Sequence, residues 1–183
     1  IRTITLPDTL TNIDKAAFQG CINLTQINIP NNVLTIGDNA FADCSRLNRV
    51  VIDDNAKLQS IGNYAFKNCS NLQEFKITKN VNSINSSFVG MKRLRKFNVV
   101  KGNDSFTTRD GVLYDKNIYR LYAAPSALTN AFTVPSSVRI IEHNAFYGSN
   151  ISNINLNNVT IIGKYAFAYS KLIVTGSDIQ ISS

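Results

Sequence analysis

Apolar residues along this chain follow two patterns that take turns. From Leu24 the sequence reads Leu-Thr-Gln-Ile-Asn-Ile-Pro, with Ile27 and Ile29 two residues apart and polar side chains between them. Period two over so short a run predicts a β-strand with one buried face. Pro30 follows, as Pro7 and Pro135 follow their own runs. A residue without an N–H suits the end of a strand. A second extended stretch, residues 33–36, leads to Gly37, and residues 38–44 then read Asp-Asn-Ala-Phe-Ala-Asp-Cys. That segment has room for a turn or two of helix with Ala40 and Phe41 inward.

The unit then repeats. Ile-Gly-x-x-Ala-Phe-x-x-Cys stands at 36–44 and 61–69, the same frame recurs at 13–21, 141–149 and 162–170, and a copy at 84–91 is one residue shorter between its Ile and its Phe. A single unit cannot bury its apolar side, but stacked neighbours can, so the expected architecture is a solenoid. Phe18, Phe41, Phe66 and Phe88 would form its spine. Cys21, Cys44 and Cys69 fall at one place in the frame, where Ser149 and Ser170 stand in later copies. A small shielded residue explains that place, so all three thiols are expected to be reduced and slow to react. Gly37, Gly62 and Gly163 read as left-handed backbone positions, which Asp14 and Asn85 tolerate and Glu142 does not readily fit. Asn39 reads as a plain exposed turn residue.

Between Phe88 and Phe146 the frame is lost. Asp110-Gly111 and Asp115-Lys116-Asn117 are turn signals, and 112–114 and 119–122 read as the arms of a β-hairpin, an insertion spanning about 101–131. Its tyrosines, Tyr114, Tyr119 and Tyr122, either meet a ligand or pack the hairpin onto the array.

Leu24-x-x-Ile27-x-Ile29-x-x-Asn32 fits the leucine-rich-repeat strand and asparagine pattern, as do 47–55 and 72–80. The fuller frame, with Ile-Pro before Val-x-x-Ile-Gly-x-x-Ala-Phe-x-x-Cys, resembles the BspA-like class of leucine-rich repeats, and Asp110-Gly111-Val112-Leu113-Tyr114 is similar to a hairpin segment of that class. The resemblance implies an α/β repeat solenoid, with short parallel strands, one-turn helices and the hairpin, running through 1–183 as a single domain. It also implies surface-exposed or secreted proteins linked to adhesion and host-protein binding. The asparagine ladder is broken at Thr9, Ser137 and Val159.

Chemistry for catalysis is sparse. His143 is the lone histidine, Asp53-Asp54 the one adjacent carboxylate pair, and neither a Cys-x-x-Cys nor a glycine-rich phosphate loop is present. No enzyme activity, metal or cofactor is therefore expected. A net charge of +7 permits a polyanionic partner without requiring one, and nucleic acid is not the expected ligand. No apolar run is long enough for a membrane-spanning helix. The chain opens in mid-pattern without Met, which reads as a piece of a longer protein.

Strand alternation locates the expected site. With Ile27, Val50, Phe75 and Phe97 inward, Arg49, Glu74 and Lys96 form an outward row of alternating sign, with Lys76 an unmatched cation beside it. The leading expectation is a cell-surface or secreted adhesion module that binds a host protein or a glycan through Arg49, Glu74, Lys76 and Lys96, joined by Tyr114, Tyr119 and Tyr122. A structural spacer and an intracellular basic scaffold for a polyanion are the alternatives.

Overall fold

The computed structural model describes residues 2–175 and 180–181. Each sequence unit forms one coil. In the first four coils the second extended stretches are β1 (Asn12–Ile13), β3 (Thr35–Ile36), β5 (Ser60–Ile61) and β7 (Ser83–Ile84), joined in parallel in that order. The opening runs are β2 (Gln26–Asn28), β4 (Arg49–Val51), β6 (Glu74–Ile77) and β8 (Lys96–Val99), and they pair in parallel two by two, β2 with β4 and β6 with β8. Three antiparallel strands follow, β9 (Phe106–Arg109), β10 (Val112–Asp115) and β11 (Arg120–Ala123). A second stack then uses β12 (Phe132–Thr133), β14 (Asn153–Asn155) and β16 (Ile173–Thr175) on one side. On the other side stand β13 (Ile140–Ile141), β15 (Ile161–Ile162) and β17 (Gln180–Ile181).

The expected one-turn helices do not form: among the described residues there is no helix, so the α/β reading gives way to a solenoid of strands and turns. The reason lies in the destinations of the backbone N–H groups. In the segment 37–44, the N–H groups of Ala40, Ala42 and Cys44 close turns within their own coil, on the carbonyls of Gly37, Asn39 and Phe41. Those of Asn39, Phe41 and Asp43 go to the next coil instead, on Asn63, Ala65 and Lys67 at 2.7–2.9 Å. A helix would keep every N–H inside the segment. Residues with left-handed backbone, Asn39 (φ 56°) and Asp43 (φ 62°), make the alternation possible and exclude a helix. Asn39 is therefore not the plain turn position it resembles.

Gly37, Gly62 and Gly163 are also corrected, because none of them has a positive φ. They are glycine because the coil behind is too close. A Cβ on Gly37 would stand 2.7 Å from the Lys15 nitrogen, and one on Gly163 2.6 Å from that of His143. Asp14 escapes the constraint in the outermost described coil.

This spacing stacks the side chains. Phe18, Phe41 and Phe66 lie ring on ring with centroids 5.2 and 5.3 Å apart, and Phe88 continues the column at 6.2 Å, where its coil is shortened. Phe146 and Phe167 repeat the stack at 5.2 Å. Cys44 and Cys69 are buried, and each thiol donates to a phenylalanine carbonyl of the preceding coils, Cys44 to Phe18 at 3.2 Å and Cys69 to Phe41 at 3.1 Å. Burial pushes the Cys44 thiol up to about 11 and raises Cys69 as well. Cys21 departs from the expectation of a fully shielded ladder, being only partly buried.

The hairpin forms as read, between β10 and β11, with a register shift at Leu113/Tyr114. It is larger than the sequence suggested, because β9 precedes it through the Asp110–Gly111 turn (φ 52° and 77°). It is also not a separate excursion: β11 pairs in parallel with β13, so the meander forms the edge of a six-stranded sheet, β17-β15-β13-β11-β10-β9. Alternation along β10 sends its side chains to two cores. Leu113, with Phe106, joins the core of the first stack, whereas Val112 and Tyr114, with Leu121, join that of the second. The meander is a wall shared by both stacks.

Truncating the column should be costly: Phe41→Ala is expected to lose about 3–5 kcal/mol. Asn48→Ala, at an exposed position, should stay within about 0.5 kcal/mol of the parent. Urea melts compare the two. With a thiol reagent on the native protein, Cys21 should label first and Cys44 and Cys69 only at the rate of opening; simultaneous labelling contradicts the buried ladder.

Candidate functional site

The outward residues of the opening strands lie where alternation puts them. β2 and β4 bring Gln26 opposite Arg49, and β6 and β8 bring Glu74 opposite Lys96 and Lys76 opposite Asn98. Core partners such as Ile27, Phe75 and Phe97 are buried beneath them. Glu74 is shared: one oxygen meets the Lys96 ammonium at 3.1 Å and the other accepts from the Asn98 amide at 2.9 Å. The expected row is not continuous, since β4 and β6 are not joined and no ion pair links Arg49 to Glu74 among the described residues. Contrary to the expectation from alternation, Lys76 is not an unmatched cation; its ammonium sits 2.7 Å from Asp54. Arg49 is the exposed cation of the group without a carboxylate partner among the described residues. Exposed pairs of this kind contribute about 0.2–1 kcal/mol each, so the fold does not depend on them.

The tyrosines separate. Tyr114 is fully buried between the meander and the second stack and is removed from the surface site. Among the described residues its hydroxyl has no hydrogen-bond partner, and burial raises its pKa. Tyr119 is exposed. Tyr122 is half-buried, edge-on to Phe106 at 5.2 Å, and points to a different place, a cleft of about 300 Å³ where the two stacks meet. No contact joins these rings to the Arg49–Lys96 group among the described residues.

Sequence reasoning missed that cleft. One wall is the shortened coil, with Asn82, Asn85 and Ser86; the other includes Glu142, His143 and Tyr147. The signal was the missing residue between Ile84 and Phe88, which marks the last coil of a stack. Both ionisable residues of the far wall are already engaged. Glu142 accepts from the Arg120 guanidinium at 2.7 Å, and the His143 Nδ1 accepts the Lys164 N–H at 2.7 Å. In the first stack Asp38 caps the N–H of Asn63 in the same way. At the rim the half-buried Tyr147 lies 5.1 Å from the exposed Tyr169. Among the described residues no group of three or more His, Cys, Asp or Glu side chains is arranged to hold a metal, and no helix is long and apolar enough to cross a membrane.

Comparison with known proteins agrees with the coil count. The chain matches the sequence model of the BspA type leucine rich repeat region in six copies, over residues 1–110 and 122–181. The gap, residues 111–121, falls on β10, the turn after it and the first half of β11. Among solved structures it is similar to the pneumococcal vaccine antigen PcpA, with a TM-score of 0.82 and 29% identity over 87% of this chain and 40% of that one. A leucine rich cell surface protein of Faecalibacterium prausnitzii follows at 0.77 and 26%, over 89% of this chain and 44% of that one. A leucine-rich repeat protein of Eubacterium ventriosum follows at 0.63 and 26%, over 91% and 58%. The chain thus spans less than two thirds of each. No curated protein gives a significant sequence match.

The orphaned hydroxyl yields a test of the buried wall. Tyr114→Phe should raise stability by about 1 kcal/mol, because it removes a desolvated polar atom and keeps the ring. A loss in denaturant midpoint would mean that the hydroxyl has a partner.

Proposed function

The chain belongs to the BspA-type leucine-rich repeat family, and we propose that it is the solenoid portion of a longer cell-surface or secreted protein and acts as a non-enzymatic recognition module. Two similar structures support the location: one is described as a vaccine antigen and another as a cell surface protein. The proposed ligand is a host protein or a glycan, and the proposed docking surface is the strand-lined face around Arg49, Lys76 and Lys96, with Glu74 between the cations and Tyr119 as a further exposed contact.

One observation carries this reading. The outward side chains of Arg49 on β4, Glu74 and Lys76 on β6 and Lys96 on β8 are long and polar, and they stand on strands anchored by a buried core. Neighbouring strands hold such residues about 4.8 Å apart. Among the described residues Arg49 has no carboxylate partner, so its guanidinium is available for planar, bidentate contacts with a carboxylate or a hydroxyl pair.

The test uses a glycan array and a panel of immobilised extracellular-matrix proteins as probes. The parent chain should be retained by at least one of them. The triple variant Arg49→Ala, Lys76→Ala, Lys96→Ala should bind that probe at least about tenfold more weakly, a loss of about 1.4 kcal/mol, with its melting midpoint nearly unchanged. Equal retention of a folded triple variant moves the docking surface off this face.

A further inference from the structure

The hydrogen-bond ladder of the first stack stops before it is complete. In the coil before last, the Gln59 carbonyl accepts from the Asn82 N–H, and the N–H groups of Tyr64 and Phe66 donate to the carbonyls of Ser86 and Ser87, at 2.9, 3.2 and 3.0 Å. One coil on, the Asn82 carbonyl and the Phe88 N–H are the equivalents of the Gln59 carbonyl and the Phe66 N–H, while the shortening leaves Tyr64 without a counterpart and puts the Ser86 N–H two residues before Phe88. Among the described residues none of the three groups at Asn82, Ser86 and Phe88 has a partner, and β7 is the outermost strand of its sheet. All three residues line the cleft between the stacks.

The opposite wall presents the other half of the same ladder. In a continuing coil, the carbonyls of Asp38, Ala40 and Ala42 accept from the coil before them. Their counterparts in the first coil of the second stack are the carbonyls of His143, Ala145 and Tyr147. The chain itself fills two of these places: the Ser86 hydroxyl donates to His143 at 3.3 Å, and the Ala124 N–H, brought in by the end of the meander, donates to Ala145 at 2.8 Å. The Tyr147 carbonyl receives no donor among the described residues. The meander has wedged apart two coils that would otherwise have bonded directly, and the cleft is what remains of their seam.

We propose that this seam is a binding site for a short extended segment of a partner polypeptide, which adds to the open edge of the first stack through main-chain hydrogen bonds. An extended backbone offers carbonyls and N–H groups alternately along its length, which is the complement of an edge that presents a carbonyl at Asn82 and N–H groups at Ser86 and Phe88. The volume, about 300 Å³, is at the lower end for ligand clefts and suits a few residues. Glu142 and His143 are already held by Arg120 and Lys164, so the cleft offers no unpaired charge and selects an uncharged polar segment. This site is independent of the strand-lined face.

The probe is the capped peptide acetyl-Ser-Ala-Asn-Ser-amide, titrated into the ¹⁵N-labelled chain. Saturable shifts of the Ser86 and Phe88 amide signals are expected, with hydrogen exchange at both slowed about fivefold when free peptide stands at four times its Kd. The same peptide N-methylated at alternate amides should produce neither effect. Asn85→Trp, at an exposed position on the cleft wall, should abolish the response while the melting midpoint holds, and Asn82→Trp serves if that variant does not fold. Asn153→Trp, on the strand side of the second stack, should leave the response intact. The proposal is overturned if the two peptides act alike or neither acts. It is equally overturned if free N-acetylglucosamine or galactose shifts these amides and the peptide does not, which assigns the cleft to sugar hydroxyls. Shifts that grow with protein concentration alone assign it to a second copy of the chain.

Discussion

The structure depends on a division of main-chain N–H groups between two destinations. In the segments after β1, β3, β5 and β13, alternate N–H groups close turns at home and the rest bond to the neighbouring coil. Buried backbone groups must be paired, and neither a helix nor a flat strand achieves this division in seven or eight residues. It requires a left-handed residue about every fourth position, met by Asn39 and Asp43 in one coil and by Asn144 and Gly148 in another. Close coil spacing then follows, and with it the other regularities. Phenylalanine rings stack at about 5.2 Å, glycine is required where two backbones nearly touch, and the Cys44 thiol reaches the Phe18 carbonyl.

A ladder of this kind has a weak point at each end, where donors or acceptors lack partners. The meander deals with this on one side only. Its strand β11 supplies the neighbour that β13 needs, and its two faces serve both cores at once. That double service has a cost. Tyr114 is drawn so far inward that its hydroxyl is stranded without a partner, a desolvation penalty of about 1–3 kcal/mol offset by the burial of its ring. The last coil of the first stack receives no such neighbour, and its edge stays open to the cleft.

Much of this was legible in the sequence because it is periodic. The phenylalanine column, the shielded Cys44 and Cys69, the inward and outward faces of the opening strands and the hairpin all follow from spacing alone. What was not legible depends on contacts between coils. Local pattern cannot separate a short helix from a run of turns when the difference is which coil receives each N–H. For the same reason Gly37 looked like a residue needing conformational freedom, when it needs the absence of a Cβ against Lys15. Lys76 looked unmatched because its partner, Asp54, belongs to the previous unit, 22 residues back. The cleft was hidden because it exists only where two stacks fail to meet, although the shortened copy at 84–91 marked the place.

The two sides of the solenoid therefore carry different kinds of specificity. On the strand side the backbone pairs within β2–β4 and within β6–β8, and the variable element is the side chain, so Arg49, Glu74 and Lys96 can change with little effect on the core beneath them. On the turn side the ladder holds the backbone so firmly that even bulky residues occupy left-handed positions. Tyr64, Tyr165 and Tyr169 have φ values of 56–58°, where other coils use Ala, Asn, Asp or Gly. Such a conformation costs a non-glycine residue roughly 1–2 kcal/mol. It persists because inter-coil bonds hold the adjoining peptides: the Tyr64 N–H donates to Ser86, and the carbonyls before Tyr165 and Tyr169, at Lys164 and Ala168, accept from Asn144 and Gly148. Two of these rings, Tyr165 and Tyr169, project into solvent and bury little to offset the strain. Strain that burial does not repay is held by the ladder alone, so on the turn side the shape of the surface is set by the backbone before any side chain is chosen.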